Sequence, residues 1–323
     1  MPTVHLVRGA AAAHRDRQDA QAGAGRKVLV TPIELADGVV VAVGSPCDDA
    51  TLTLSEEDGD DRRVITVPSV SAALDELRDR CARWPQAAAV CVDVLRALDP
   101  SAPVYGSVIT ESLAYSTLQS GREFARWLAE RGPAAPVDIP EPVQAERVDD
   151  ILYVRFNRPQ RHNAFSTDAR AALLEALEVA RLDPSVREVV LSGNGPSFCS
   201  GGDLAEFGTF DDPASAHLAR TRHSPALVLA ELTARLGKRC RAEVHGQVLG
   251  SGLEMAAFCG EVRCRGDAAF GLPELGLGLI PGAGGTVSVT RRIGRWRTAY
   301  LVLSGRRIDP PTALRWGLID AIV

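Results

Sequence analysis

Glycine is concentrated in one part of this chain, and that concentration limits what the region can become. Of 29 glycines in 323 residues, 17 fall in the 93 residues from Gly193 to Gly285. Glycine is costly inside regular elements. It is useful where the backbone turns sharply or comes close to a ligand. The window therefore reads as loop-rich, and the functional site is expected there.

Several classes are excluded first. The chain is 46% hydrophobic and 24% charged, close to a soluble globular average and enough for a sizeable core. A net charge of −5 provides no basic footprint for nucleic acid. No apolar run approaches the ~20 residues that span a bilayer. Residues 1–27 carry no apolar core of a secretory signal. Seven cysteines without a C-x-x-C pair argue against a disulfide scaffold or a zinc ribbon. His162, His217, His223 and His245 show no metal-like spacing, so no metal is expected. Cytoplasm is the expected compartment.

Residues 1–26, rich in Ala, Arg, Asp, Gln and Gly, are expected to be a mobile tail. An N-terminal α/β unit follows over 27–132. Its pattern predicts strands at 39–43, 51–54 and 64–67, a helix at 70–84 stopped by Pro85, a buried strand at 87–95 and a helix at 109–128. A linker is expected at 133–147, which holds Pro133, Pro136, Pro140 and Pro142. The second unit, 148–323, predicts a strand at 151–156, a helix capped by Ser166 or Thr167 and running to 182, and a strand at 188–191. Further on it predicts a strand at 242–244, a helix at 250–259 and a strand at 262–265. This β-α-β rhythm argues for parallel strands with helices outside the sheet. The first unit repeats the rhythm and reads as a degenerate cousin of the second.

Three segments carry the chemistry. In Ser197-Phe198-Cys199-Ser200-Gly201-Gly202-Asp203-Leu204, two glycines after a strand let an N–H point into a cleft, although an ordinary strand-to-helix connection fits as well. In His245-Gly246-Gln247-Val248-Leu249-Gly250-Ser251-Gly252-Leu253-Glu254, glycines flank Ser251 at a helix start. Free N–H groups and the dipole there suit a developing oxyanion. Glu254 follows one turn later, and a helix-dipole or capping role is its plain alternative. In the stretch from Phe270 to Thr286, Glu274 is a carboxylate in apolar surroundings, where burial raises a pKa into the range of acid–base work. Capping of the helix start at Gly284-Gly285-Thr286, or pairing with an Arg, is its alternative. Cys199 has no basic partner in sequence, so a thiol nucleophile is not expected. The seven arginines in 286–316 read as a solvated helical face, with contact to phosphates as the second choice.

Together these segments resemble the crotonase (enoyl-CoA hydratase/isomerase) superfamily over about residues 148–323. Asn157-Arg158-Pro159-Gln160-Arg161-His162-Asn163-Ala164 is similar to the family's N-R-P-x-x-x-N-A opening. The resemblance implies an α/β fold: a crotonase-like ββα spiral, here with an additional N-terminal α/β unit and no C-terminal helical cover. It implies a 2-enoyl-CoA hydratase (a hydro-lyase) that adds water across the 2,3 double bond. The backbone N–H groups of Ser200 and Ser251 fall on the oxyanion positions, and Glu254 and Glu274 on the carboxylate positions. Arg161, His162 and Ala164, with Ser200, Gly201, Gly202, Asp203 and Ser251, fall where the family holds its acyl-CoA. Coenzyme A enters as part of the substrate, and no separate cofactor is implied. The implied partner is an acyl-CoA thioester, with neither nucleic acid nor membrane, in a homo-oligomer, trimeric or hexameric.

Three departures are visible. Ser251 stands where hydratases usually have glycine, Ala205 where many members have lysine, and the sequence ends at Val323, where members usually continue into helices. They keep two other readings open. One is another crotonase-type reaction: isomerisation, thioester or C–C hydrolysis, or oxygenation. The other is acyl-CoA binding without catalysis.

Overall fold

The computed structural model describes residues 32–210 and 212–323. The segment 1–26, expected as a tail, lies outside the described residues, as does the start of the N-terminal unit at 27.

The first strands are β1 (Ile33–Ala36), β2 (Val39–Val43), β3 (Leu52–Ser55) and β4 (Val64–Thr66), paired in that order. β1 runs antiparallel to β2, and the remaining pairs are parallel. Four helices follow: α1 (Val70–Arg83), α2 (Pro85–Ala97), α3 (Val104–Gln119) and α4 (Arg122–Arg131). Ser69 caps α1 by accepting from the Ala72 N–H.

Three expectations fail here. Residues 87–95 are not a strand; they belong to α2. Pro85 sits in the first turn of α2, where its missing N–H costs nothing, so it starts a helix as well as ending one. Ala87, Ala88, Cys91, Val92, Val94 and Leu95 are all buried. These buried positions recur at helical spacing, and Gln86, Asp93 and Arg96 lie exposed on the other face, but the short stretch 87–92 is apolar without a break and fits a buried strand as well. The run is also alanine-rich, and alanine favours helix. With α2 helical, the N-terminal unit does not repeat the rhythm of the second. The helix expected over 109–128 is two helices, because Gly121 caps α4 at a bend whose inner side is filled by the Leu118 carbonyl.

The second half begins with β5 (Val143–Val148), which lies inside the segment expected as linker. It is held there by six antiparallel partners on β6 (Ile151–Phe156). α5 (Thr167–Leu182), capped by Ser166, and β7 (Glu188–Gly193) follow. Then come α6 (Pro213–Arg222), α7 (Pro225–Leu236), β8 (Cys240–Val244), β9 (Gln247–Leu249), α8 (Ser251–Ala256), β10 (Glu261–Cys264) and β11 (Ala269–Gly271). α9 (Gly285–Ser304), α10 (Pro310–Trp316) and β12 (Ala321–Ile322) complete the chain. The main sheet has the order β12-β10-β8-β7-β6-β5, parallel except at β5. β9 and β11 form a second, two-stranded parallel sheet. The fold is mixed α/β, with two β-layers that bring the ends of β7, β9 and β11 together.

One buried hydrophobic cluster runs through both halves, from Val39 to Ile319. α1 and α2 pack along α9, and α3 packs along α6. Of the seven arginines in 286–316, Arg306, Arg307 and Arg315 are exposed, whereas the four on α9 do not form a solvated face. α9 is buried over most of its length, and Arg297 is buried within it. Arg292 donates to the carbonyls of Ala257 and Cys259, Arg295 to that of Asp48, and Arg306 to Glu76. These guanidinium groups staple elements together. Among the described residues, no helix is long and apolar enough to cross a membrane.

Candidate functional site

The site is assembled from three backbone turns, and glycine allows each of them. After β7, the Phe198 N–H donates to the His245 carbonyl and the Cys199 N–H to the Gln247 carbonyl, which ties the loop to β9. Gly201 then adopts φ +101. Its carbonyl accepts from the Phe165 N–H at 2.8 Å, and the Asp203 N–H donates to the Phe165 carbonyl at 2.9 Å. In this parallel bridge the N–H of Gly202, the residue between, faces the opposite way.

The Ser200 N–H is committed to the His162 carbonyl at 3.0 Å. Ser200, the expected oxyanion donor, thus has its N–H occupied by that carbonyl in this structure. Gly202 lines the cavity, and among the described residues its N–H donates to nothing. The single-sequence pattern could not separate the two, because the choice depends on pairing with Phe165.

At the second turn, Gly250 adopts φ +47, and a Cβ there would lie 2.5 Å from Glu274 Oε1. Ser251 occupies the first position of α8, so its N–H has no partner within the helix. Glu254 lies on the same short helix. The third turn follows β11, where Glu274 opens a short 3₁₀ segment, Glu274–Leu277.

The expected opening motif is chiefly structural. Arg158, 2% exposed, pairs with Asp203, 1% exposed, at 2.9 Å, and also donates to the Ala164 and Val137 carbonyls. Asn163 donates to the Asn194 and Ser197 carbonyls and accepts from the Arg158 N–H. Burial raises the Asp203 carboxyl, but the Arg158 hydrogen bond and charge outweigh it, and the net shift is downward. Arg161 lies 3.3 Å from the same carboxylate with an exposed side chain, and His162 contacts Ser197 Oγ. Arg161, His162 and Ala164 thus flank the turn that presents Gly202 and stand outside the cavity lining.

Glu254 and Glu274 meet in one cavity of about 170 Å³, together with Gly202, Asp203 and Ser251. Both carboxylates are buried. Glu254 Oε2 accepts from the Ala283 and Gly285 N–H groups, each at 2.7 Å. Glu274 Oε2 has no partner among the described residues. Burial pushes Glu274 up to about 8, and the nearby Glu111 adds to the push. Burial, then the charges of Glu274 and Glu111, raise Glu254 well above the usual carboxylate range. Two interacting buried carboxyls release their protons in separate steps, so such a pair can hold one acid and one base. Cys199 is buried and pushed up to about 12, which leaves no thiolate.

The sequence reading missed the N-terminal contribution to this cavity. Val108, Ser112, Tyr115 and Gln119 of α3 line it. Tyr115 packs against Gly282, where a Cβ would stand 2.4 Å from its ring. Glu111 of α3, 1% exposed, accepts from the Gly284 N–H at 2.7 Å, the Thr286 N–H at 2.8 Å and the Thr286 hydroxyl at 2.6 Å. The only local signal was a carboxylate within a helix that buries Val108, Tyr115 and Leu118.

A family model described as enoyl-CoA hydratase/isomerase matches residues 146–323. The chain is 35% identical over 179 residues to a 2,3-dehydroadipyl-CoA hydratase of Escherichia coli, covering 54% of this chain and 67% of that protein. It is 33% identical over 174 residues to a mevalonyl-coenzyme A hydratase of Aspergillus fumigatus, covering 54% and 63%. A solved enoyl-CoA hydratase of Mycobacterium smegmatis superposes with a TM-score of 0.51 at 28% identity, covering 56% of this chain and 70% of that one. The chain thus spans about two thirds of the length of these relatives, and each match occupies just over half of the chain.

Proposed function

The chain belongs to the enoyl-CoA hydratase/isomerase family, and from that premise we propose that it adds water across the 2,3 double bond of an enoyl-CoA thioester. The observation that carries this reading is the meeting of Glu254 and Glu274, both buried, in one cavity beside two unspent backbone N–H groups. Gly202 and Ser251 donate to the thioester oxygen as it gains enolate charge. Two preorganised donors in a water-poor site stabilise that charge strongly, and removal of one such donor typically costs ~10²–10³ in rate. Glu254 is held through Oε2, so Oε1 is left to accept a proton from the attacking water. Glu274 has an unpartnered oxygen to orient the same water and to deliver a proton to the α-carbon. No cofactor takes part beyond the coenzyme A of the substrate.

α3 belongs to this proposal as the wall over the acyl end of the cavity. Val108 and Tyr115 supply its apolar surface. We read the N-terminal unit as a built-in cover that shares its core with the catalytic half.

The test is turnover of a panel of 2-enoyl-CoA thioesters with mass-spectrometric readout. Gain of one water in the product, abolished by Glu274→Gln, supports the proposal. Product of unchanged mass with a shifted double bond transfers the assignment to isomerisation. Tight acyl-CoA binding without turnover of any thioester overturns catalysis.

A further inference from the structure

We propose that Glu111, carried on α3 of the N-terminal unit, is a positioning residue for Glu254, because it grips the alternate N–H groups of the turn that holds that carboxylate. This inference rests on the hydratase reading.

The argument begins with a backbone deficit. The first N–H groups of a helix have no partner inside it. At the start of α9 these include Gly284, Gly285 and Thr286; with Ala283, the residue just before the cap, they are divided between two carboxylates in alternation. Glu254 takes Ala283 and Gly285. Glu111 takes Gly284 and Thr286, with the Thr286 hydroxyl as a third donor. The turn is therefore clamped from two sides, once from the catalytic half and once from the N-terminal unit.

The clamp is tight because Gly282, Gly284 and Gly285 leave no room for a side chain. A Cβ on Gly285 would lie 2.4 Å from Glu254 Cγ, one on Gly284 2.4 Å from the Phe258 ring, and one on Gly282 2.4 Å from the Tyr115 ring. If Glu111 let go, two buried N–H groups would lack acceptors and the turn would shift to find others. Such a shift moves the donors of Glu254, hence the position of Oε1. Displacements of about 1 Å at a reacting group can cost ~10²-fold in rate.

Glu111 also sets the charge around the pair. The titratable and charged groups that face it are Glu254 on α8, Glu274 after β11, Arg220 on α6, Cys91 on α2 and Tyr115 on its own helix. Burial raises Glu111 itself to about 7, and in its ionised form its negative charge favours the protonated forms of Glu254 and Glu274. Where Glu111 is ionised, loss of that charge moves both toward lower pKa.

The experiment compares full-length wild type, Glu111→Gln and Glu111→Asp. It records kcat and KM against pH on a 2-enoyl-CoA, and hydrogen exchange across residues 283–286. For Glu111→Gln we expect kcat to fall by about 10–100-fold with KM changed by less than about threefold. The kcat profile should move to lower pH by about half a unit or more. Glu111→Asp keeps the charge on a shorter reach, so the profile should stay near its wild-type position while kcat falls less. It is also the milder change if the Gln variant does not fold. Amides 283–286 should exchange faster in both variants. A variant that loses only thermal stability, with kcat, pH profile and exchange at 283–286 unchanged, overturns the proposal and leaves Glu111 a helix cap. If the wild type hydrates no enoyl-CoA, the hydratase reading fails by itself. The exchange comparison then decides the inference: faster exchange at Ala283 and Gly285, the donors to Glu254, supports the grip, and unchanged exchange there overturns it.

Discussion

Replacement of Glu274 by glutamine should separate activity from stability, and the separation should grow with pH. Hydration should be lost, because the amide cannot deliver a proton. Stability should respond differently. Burial lifts Glu274 from 4.5 to about 8 in the folded chain. Between these values the folded state binds a proton that the unfolded state has released, so the stability associated with this group falls as pH rises through that window. Each pH unit corresponds to about 1.4 kcal/mol per group, so the window holds at most about 5 kcal/mol. Coupling to Glu111 and Glu254 makes this an upper limit, because the remaining two relax when one is removed. Glutamine stays neutral at every pH. An unpartnered amide group adds a cost of ~1–3 kcal/mol that does not vary with pH. The assay is denaturant unfolding of both proteins at half-unit steps from pH 5 to pH 8. The difference, variant minus wild type, should shift in favour of the variant with a slope of up to about 1.4 kcal/mol per unit. A flat difference, or one that moves toward the wild type at high pH, would refute the claim that Glu274 is a desolvated carboxyl.

Three further outcomes follow from individual contacts. Gly285→Ala places a Cβ 2.4 Å from Glu254 Cγ and 2.7 Å from its Oε2; kcat should drop by ~10²-fold with little change in KM, and a fully active alanine variant would show that Glu254 tolerates displacement. Arg158→Met strips a pair buried at 2% and 1% and leaves Asp203 without its charge partner; unfolding free energy should fall by about 3–5 kcal/mol, largely restored by adding Asp203→Asn, and a loss below ~1 kcal/mol would contradict the role of this pair in holding the Gly202 turn. Of the seven free cysteines only Cys47 is not buried; a thiol reagent at pH 8 should label one site quickly in native protein and none in Cys47→Ser, whereas fast labelling of Cys199 would mean that its loop opens.

What the sequence determined by itself is local. Glycines at turns, the Ser166 cap and the alternation of 151–156 act over a few residues, so they can be read in order along the chain. The two site carboxylates were legible for the same reason, since Glu254 sits one turn past a glycine-flanked helix start and Glu274 lies in a rigid apolar stretch. Tertiary structure decided the rest. α2 was misread because its apolar stretch 87–92 is short enough to fit a buried strand, and only packing shows Gln86, Asp93 and Arg96 sharing an exposed helical face. The arginines of α9 looked solvated because the carbonyls they bind, such as those of Ala257 and Asp48, lie far away in sequence. Whether Ser200 or Gly202 offers its N–H depends on a bridge to Phe165 that only folding forms. Glu111 reaches Gly284 across 173 residues. Sequence patterns record which backbone groups will be left without partners. Only packing brings in the distant side chain that satisfies them, and here that side chain belongs to the half of the chain that the family match does not cover.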